Sequence, residues 1–247
     1  MNTILRIEAQ RRRSYVAAAS LVFTAWLALA IWSLSPYAEW LDHSRIEDIP
    51  ASLTIRLAVF TIGWMLMIVA MMLPGTLLLL THCSEEELSS IPRNIPVILA
   101  YVAVWTIFGG FNYLGDSLLH EVIERVPALA IAVAPGVLLL AGVYQLTPLK
   151  RACLSRCRPD GTAFKMFSAR NSWAVGLRHG IFCLGNCWAL MLLMFAIGGV
   201  DLIWMLLLGG IMTAERSLHR GHLLTRPLGF ALILGSFLIL LLRQISM

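Results

Sequence analysis

The chain of 247 residues is 59% hydrophobic and 13% charged, with a net charge of +5. A mean hydropathy of +0.79 is too high for a soluble domain of this size and leaves an integral membrane protein. The positive excess is accounted for by membrane topology, aided by anionic lipid, and calls for no nucleic-acid partner.

A crossing needs roughly 20 mostly apolar residues. Read in chain order, the sequence predicts seven, at about 15–34, 55–80, 95–115, 128–147, 177–198, 200–214 and 228–242. The expected fold is all-α: a polytopic transmembrane bundle forming one membrane domain over 15–247, behind a basic stretch over 1–14. The first span follows arginines, as a signal peptide would, but it lacks a small-residue cleavage site and its apolar core is too long, so a retained helix is expected. In the second, Pro74-Gly75 is expected to break or kink the helix. The carbonyls freed there need partners inside protein or water. The sixth is the weakest, since about 15 residues rise only roughly 22 Å against a core of about 30 Å.

Cytoplasmic loops collect Lys and Arg. Seven spans with the N-terminus inside put 15 of the 19 basic residues on that side. They are Arg6, Arg11, Arg12 and Arg13; Arg93; Lys150, Arg151, Arg156, Arg158, Lys165, Arg170 and Arg178; and Arg216, Arg220 and Arg226. The expected location is a bacterial inner membrane, with the N-terminus in the cytoplasm and the C-terminus in the periplasm.

That topology gathers the soft and basic side chains. Cys83, Cys153, Cys157, Cys183 and Cys187 all fall on the cytoplasmic side, with His82, His179, His219 and His222. Cytosolic thiols stay reduced, so metal binding or catalysis is a better reading of them than disulfides. A thiol is also a small apolar packing residue. In "HGIFCLGNCWALM" the residues His179, Cys183 and Cys187 are spaced four apart and share one broad helix face. His179 and Cys187 stand about 12 Å apart along a regular helix, too far to share one ion with ligand distances of about 2.0–2.3 Å. A metal would take one adjacent pair and complete its shell from another helix. Cys153 and Cys157 of "CLSRC" form the obvious second pair, with Glu215, Met71, Met72, His82 and Cys83 in reserve. Met191 continues the Cys187 stripe, and thioether with thiolate favours Cu(I); zinc is the alternative. Glu215, near the end of the sixth span, is costly unless paired, with Arg216 or Lys150 as candidate partners, and is otherwise a functional group. His219 with His222 reads better as a solvated loop, and Asp116 with His120 as a helix end.

Four stretches together resemble a bacterial family of predicted metal-binding integral membrane proteins, defined as a domain of unknown function. They are "WMLMIVAMMLPG" (Trp64, Met67, Ala70, Met71, Met72, Pro74), "YQLTPLKRACLSRCR" (Tyr144, Gln145, Pro148, Leu149, Lys150, Cys153, Cys157, Arg158), "HGIFCLGNCWALM" (His179, Gly180, Cys183, Gly185, Cys187, Trp188, Met191) and the "WM…E" segment (Trp204, Met205, Glu215). The resemblance covers about 55–220 and implies metal binding. Members tend to carry two adjacent cysteines before the tryptophan, and Asn186 stands here in place of the first.

The expected function is copper handling: binding, delivery, or assembly of a membrane metalloenzyme as an accessory subunit, with the lipid bilayer, the metal ion and another membrane subunit as partners. The alternatives are a thiol oxidoreductase using Cys183/Cys187 with Cys153/Cys157, and a structural accessory subunit without metal. The sequence has no Walker loop, dinucleotide fingerprint or HExxH, which argues against ATP-driven pumping or zincin proteolysis within this chain. A periplasm-active reporter fused after Met247 is expected to be active; activity of a cytoplasm-only reporter at that position would remove one crossing or invert the order.

Overall fold

A computed structural model describes residues 2–38, 51–82, 91–157, 172–196, 202–218 and 221–245, in which every regular element is helical. The helices are α1 (Asn2–Ser33), α2 (Leu53–His82), α3 (Ile91–Arg125), α4 (Ala130–Leu146), α5 (Pro148–Cys157), α6 (Ser172–Ala196), α7 (Leu202–Ser217) and α8 (Thr225–Ile245). The all-α polytopic bundle is as expected, but its elements differ from the seven spans. Among the described residues five segments are long and apolar enough to cross a membrane: Leu53–Pro74, Ile95–Arg125, Pro127–Leu146, Ser172–Met194 and Gly221–Ile245. The apolar part of α1 is the shorter Ala19–Ser33, and α7 has 16 residues, about 24 Å of rise.

The added helix is α5, which the sequence reads as loop. Its start is written in "TPLK". Thr147 is extended, with φ −71° and ψ 150°, Pro148 takes the first helical position, and the Lys150 amide donates to Thr147 Oγ1 at 3.2 Å. That is an N-cap followed by a proline whose missing N–H costs nothing at that point. The helix is too short and polar to cross, and it lies against α6.

Pro74 does not break α2, which continues to His82. The reason lies on a neighbour. Proline at 74 leaves the Ala70 carbonyl without its helical donor, and the Trp26 indole Nε1 of α1 donates to that oxygen at 3.2 Å. The same device recurs in α4. Pro135 frees the Ile131 carbonyl, and Arg243 of α8 donates to it at 2.9 Å. Inside hydrocarbon a freed carbonyl has no water to turn to; the Trp26 bond is part-buried, the Arg243 bond lies on the exposed surface, and each ties a helix pair.

Close packing supplies the rest. Helices in lipid gain little from apolar burial against one another and associate through small residues that admit close approach. A Cβ at Gly176 would sit 2.2 Å from the Val97 carbonyl oxygen, pinning α6 against α3, and one at Gly142 would sit 2.8 Å from the Gly229 carbonyl, pinning α4 against α8. The core between α2, α3, α6 and α7 holds Trp64, Trp105, Met67, Met71, Met72, Met191, Met205 and Met212. Trp64 donates to the Trp105 carbonyl at 2.8 Å. Much of the described outer surface is apolar, as with Phe230, Leu234, Phe237 and Leu241 of α8, which suits lipid contact.

Trp26→Phe keeps an aromatic ring and deletes the donor to Ala70. It is expected to cost about 1–3 kcal/mol, the cost of a buried unsatisfied carbonyl, in detergent unfolding. In a Pro74→Ala background residue 74 regains its own N–H, and the Trp26→Phe penalty is expected to shrink; an unchanged penalty would assign Trp26 to packing alone.

Candidate metal centre

The site is built around α6. His179, Cys183 and Cys187 occupy one stripe of that helix and are all buried. α3 presents Tyr101, α2 presents Met72, α5 presents Cys157 and α7 presents Arg216. The Cys187 thiol donates to the Cys183 carbonyl at 2.7 Å, the usual back-bond to the preceding turn. It also approaches Met72 Sδ at 3.5 Å. Cys183 Sγ lies 3.3 Å from the Tyr101 hydroxyl, and the Cys157 thiol is hydrogen-bonded to it. The His179 ring stacks on Tyr101, with centroids 5.6 Å apart and planes 22° apart. Buried His179 Nε2 has no hydrogen-bond partner among the described residues.

The guanidinium of Arg216 lies among these sulfurs. Nη1 donates to Cys183 Sγ at 3.2 Å, and Nη2 donates to Met72 Sδ at 2.8 Å and reaches Cys187 Sγ at 3.8 Å. Arg216 is 3% exposed, and its Nε has no partner among the described residues. A buried cation normally sits beside a carboxylate. The only buried carboxylate among the described residues is Glu215, and it faces elsewhere. Glu215 Oε2 accepts from Lys150 Nζ at 2.7 Å, and Oε1 accepts from Gln145 at 3.2 Å. Lys150 also donates to the Asn186 carbonyl at 2.6 Å. The two neighbouring charges of α7 thus part company: Glu215 closes a neutral pair with α5, and among the described residues Arg216 donates to sulfur alone.

Of the residues singled out from sequence, Cys183, Cys187, Cys157 and Met72 are brought together, with His179 one turn away from Cys183. Cys153 is not part of that group: its sulfur abuts α6, where a Cβ at Gly185 would sit 2.7 Å away. Met71 turns to Gly209 and lines a groove of about 510 Å³ between α1, α2 and α7. Met191 is buried one turn beyond Cys187, and Glu215 is engaged by Lys150 and Gln145. His222 is exposed. Asp116 and His120 line a cavity of about 570 Å³ near the far end of α3, where His120 also reaches Glu124 at 3.6 Å. Cys83, His219 and the side chain of His82 lie outside the described residues. Sequence reasoning treated Arg216 only as a topology marker and a candidate partner of Glu215, and it passed over Tyr101. One available signal was the adjacency "ER" itself, because two opposite charges at the end of an apolar helix point about 100° apart. Asn186 is buried with neither side-chain atom partnered among the described residues.

All four described cysteines are free and buried. On α5, outside the crossing segments, the hydrogen bond to Cys183 together with burial pushes the Cys157 thiol well up. Burial pushes the Cys153 thiol up against the pull of Arg156 and Lys150. Two sulfurs on one ion, each at about 2.3 Å, lie no more than about 4.6 Å apart, so the Cys187–Met72 separation of 3.5 Å fits a shared soft cation. No group of three or more His, Cys, Asp or Glu among the described residues is placed to hold an ion. The donor set that does converge is sulfur-rich and of low coordination number, which suits Cu(I) better than a tetrahedral divalent ion.

A family model described as PpoB2: Copper chaperone matches residues 61–239. No curated protein and no solved structure matches the chain. The match takes in every residue of the cluster, together with Lys150 and Glu215.

Glu215→Gln leaves the Lys150 ammonium buried without its counter-charge and is expected to destabilise the bundle by about 3–5 kcal/mol, read by unfolding in detergent. The double variant Lys150→Met/Glu215→Leu is expected to recover most of that loss. A loss equal to the sum of the single variants would show that the two groups do not act as a pair.

Proposed function

The chain belongs to the copper-chaperone family PpoB2, and from that premise we propose that this membrane bundle carries Cu(I) as cargo on Cys183 and Cys187, with Met72 as a third donor. The observation that carries the reading is the convergence of Cys157, Cys183, Cys187 and Met72 in one buried pocket. Thiolate and thioether are the donors that prefer Cu(I) to harder divalent ions. His179 and Met191, one turn to either side on the same helix, are the next donors along it. Cys157 supports Cys183 from α5, and Cys153 and Glu215 shape the wall behind Gly185 and Asn186. Met71 faces the groove beside α1 and α7.

Binding balances simply. Two S–H bonds give way to two S–Cu bonds, the protons pass to solvent, and copper keeps its oxidation state. Release to a recipient is the reverse, and the recipient in this reading is a membrane metalloenzyme or another membrane subunit that the chain serves as an accessory. In the orientation expected from the loop charges, the thiols lie toward the reducing cytoplasm of a bacterial inner membrane, where Cu(I) is the stable form. Zinc is the competing cargo.

Cys183→Ser removes the sulfur that Tyr101, Cys157 and Arg216 all address. It is expected to weaken Cu(I) by more than about 100-fold, beyond the roughly 10–100-fold typical of outer-shell changes, with helical content retained. Met72→Leu keeps the volume and deletes one thioether, and is expected to weaken Cu(I) more than Zn(II). Chelator competition on the full chain in detergent reads both. Wild-type copper affinity in Cys183→Ser protein would refute the assignment.

A further inference from the structure

The balance of buried charge goes further than the donor set. Lys150 and Glu215 cancel at 2.7 Å, and among the described residues Arg216 meets no carboxylate and has its donors on Cys183, Cys187 and Met72 sulfur. In a water-free interior a net charge is costly and charge matching is rewarded. A monovalent ion on two thiolates is a unit anion, and beside the guanidinium the assembly is neutral. A divalent ion on the same two thiolates is already neutral, and beside Arg216 the assembly keeps a buried positive charge. Resting on the copper reading above, we infer that Arg216 is the specificity-determining residue of this site: its fixed charge selects a monovalent soft cation held by two thiolates, Cys183 and Cys187, over a divalent one.

The geometry fits that role. A guanidinium carries its charge on a plane of five donors and keeps it at any accessible pH. Here Nη1 and Nη2 divide between the two thiol sulfurs and the thioether, so one rigid group addresses the donors together and acts as a positioning residue. A three-thiolate divalent centre would also be neutral beside Arg216. Cys157 would have to supply the third sulfur, but among the described residues no three such side chains are placed to share an ion.

The test uses the full-length protein in detergent under anaerobic conditions, with Cu(I) and Zn(II) each competed against a chelator of known affinity. Arg216→Gln is expected to weaken Cu(I) by about 10- to 100-fold, the scale of one lost charge-assisted contact, while Zn(II) affinity holds or rises. Arg216→Lys keeps the charge and is expected to keep most of the preference for Cu(I). Thiol alkylation of the copper-loaded protein is expected to protect two of the clustered cysteines, Cys183 and Cys187, and to leave Cys157 reactive on denaturation. An equal loss of Cu(I) and Zn(II) in Arg216→Gln, an undiminished Cu(I) affinity, or three protected cysteines would overturn charge selection while leaving a copper site on Cys183 in place. If Arg216→Gln fails to fold, Arg216→Lys and the alkylation count still decide. Failure of the copper reading itself registers separately, as unchanged copper binding in Cys183→Ser.

Discussion

A polar group inside this bundle has no water to fall back on, and that constraint organises the molecule more than any apolar contact does. Helices in hydrocarbon gain little from hiding leucines from lipid. What selects their partners is the need to satisfy donors, acceptors and charges internally. The Ala70 carbonyl finds Trp26, the Ile131 carbonyl finds Arg243, and Lys150 finds Glu215, Gln145's neighbour, and the Asn186 carbonyl. Each of these ties elements distant in sequence, and together they fix α1 on α2, α8 on α4, and α5 between α6 and α7. Arg216 obeys the same rule, but the partners it finds are sulfurs.

The thiol pocket therefore differs from an ordinary apolar core with cysteines in it. Packing alone would place Cys183 and Cys187 among methyl groups. Here a hydroxyl, a thiol and a guanidinium all address Cys183 Sγ, and an imidazole whose Nε2 has no partner among the described residues stands one turn away. Polar groups gathered on a sulfur, in a place where each is costly to bury, are what the proposed copper-bound thiolate would call for. A copper-chaperone family membership and a soft donor set give that charge a use.

Much of this was legible in the sequence, for identifiable reasons. Composition set the class, because 59% hydrophobic residues with only 13% charged is the balance of a membrane chain. The four-residue spacing of His179, Cys183 and Cys187 fixed their common face, because helix geometry admits no other. Loop charge put "CLSRC" at the same end as that face, and Cys157 does lie against Cys183. Other features depend on tertiary partners that no local pattern encodes. Pro74 reads as a break until Trp26 is beside it. "TPLKRACLSRC" reads as loop because it is polar and short, although Thr147 and Pro148 spell a helix start. Glu215 reads either as a ligand or as a partner of Arg216 or Lys150, and it is Lys150 that reaches it, across 65 residues. Arg216 was invisible as a site residue because an arginine at a helix end is ordinarily a topology marker.

The two proline-capping hydrogen bonds differ in when they become available as the chain is made. Trp26 and Ala70 are 44 residues apart, and both are in the membrane once the second helix has been released from the ribosome. Ile131 and Arg243 are 112 residues apart, and the donor lies in α8. From the insertion of α4 until α8 is made, the Ile131 carbonyl in its first turn waits for that donor. The α4–α8 bond is thus the later of the two to form: until α8 has been made, the Ile131 carbonyl is without the Arg243 donor.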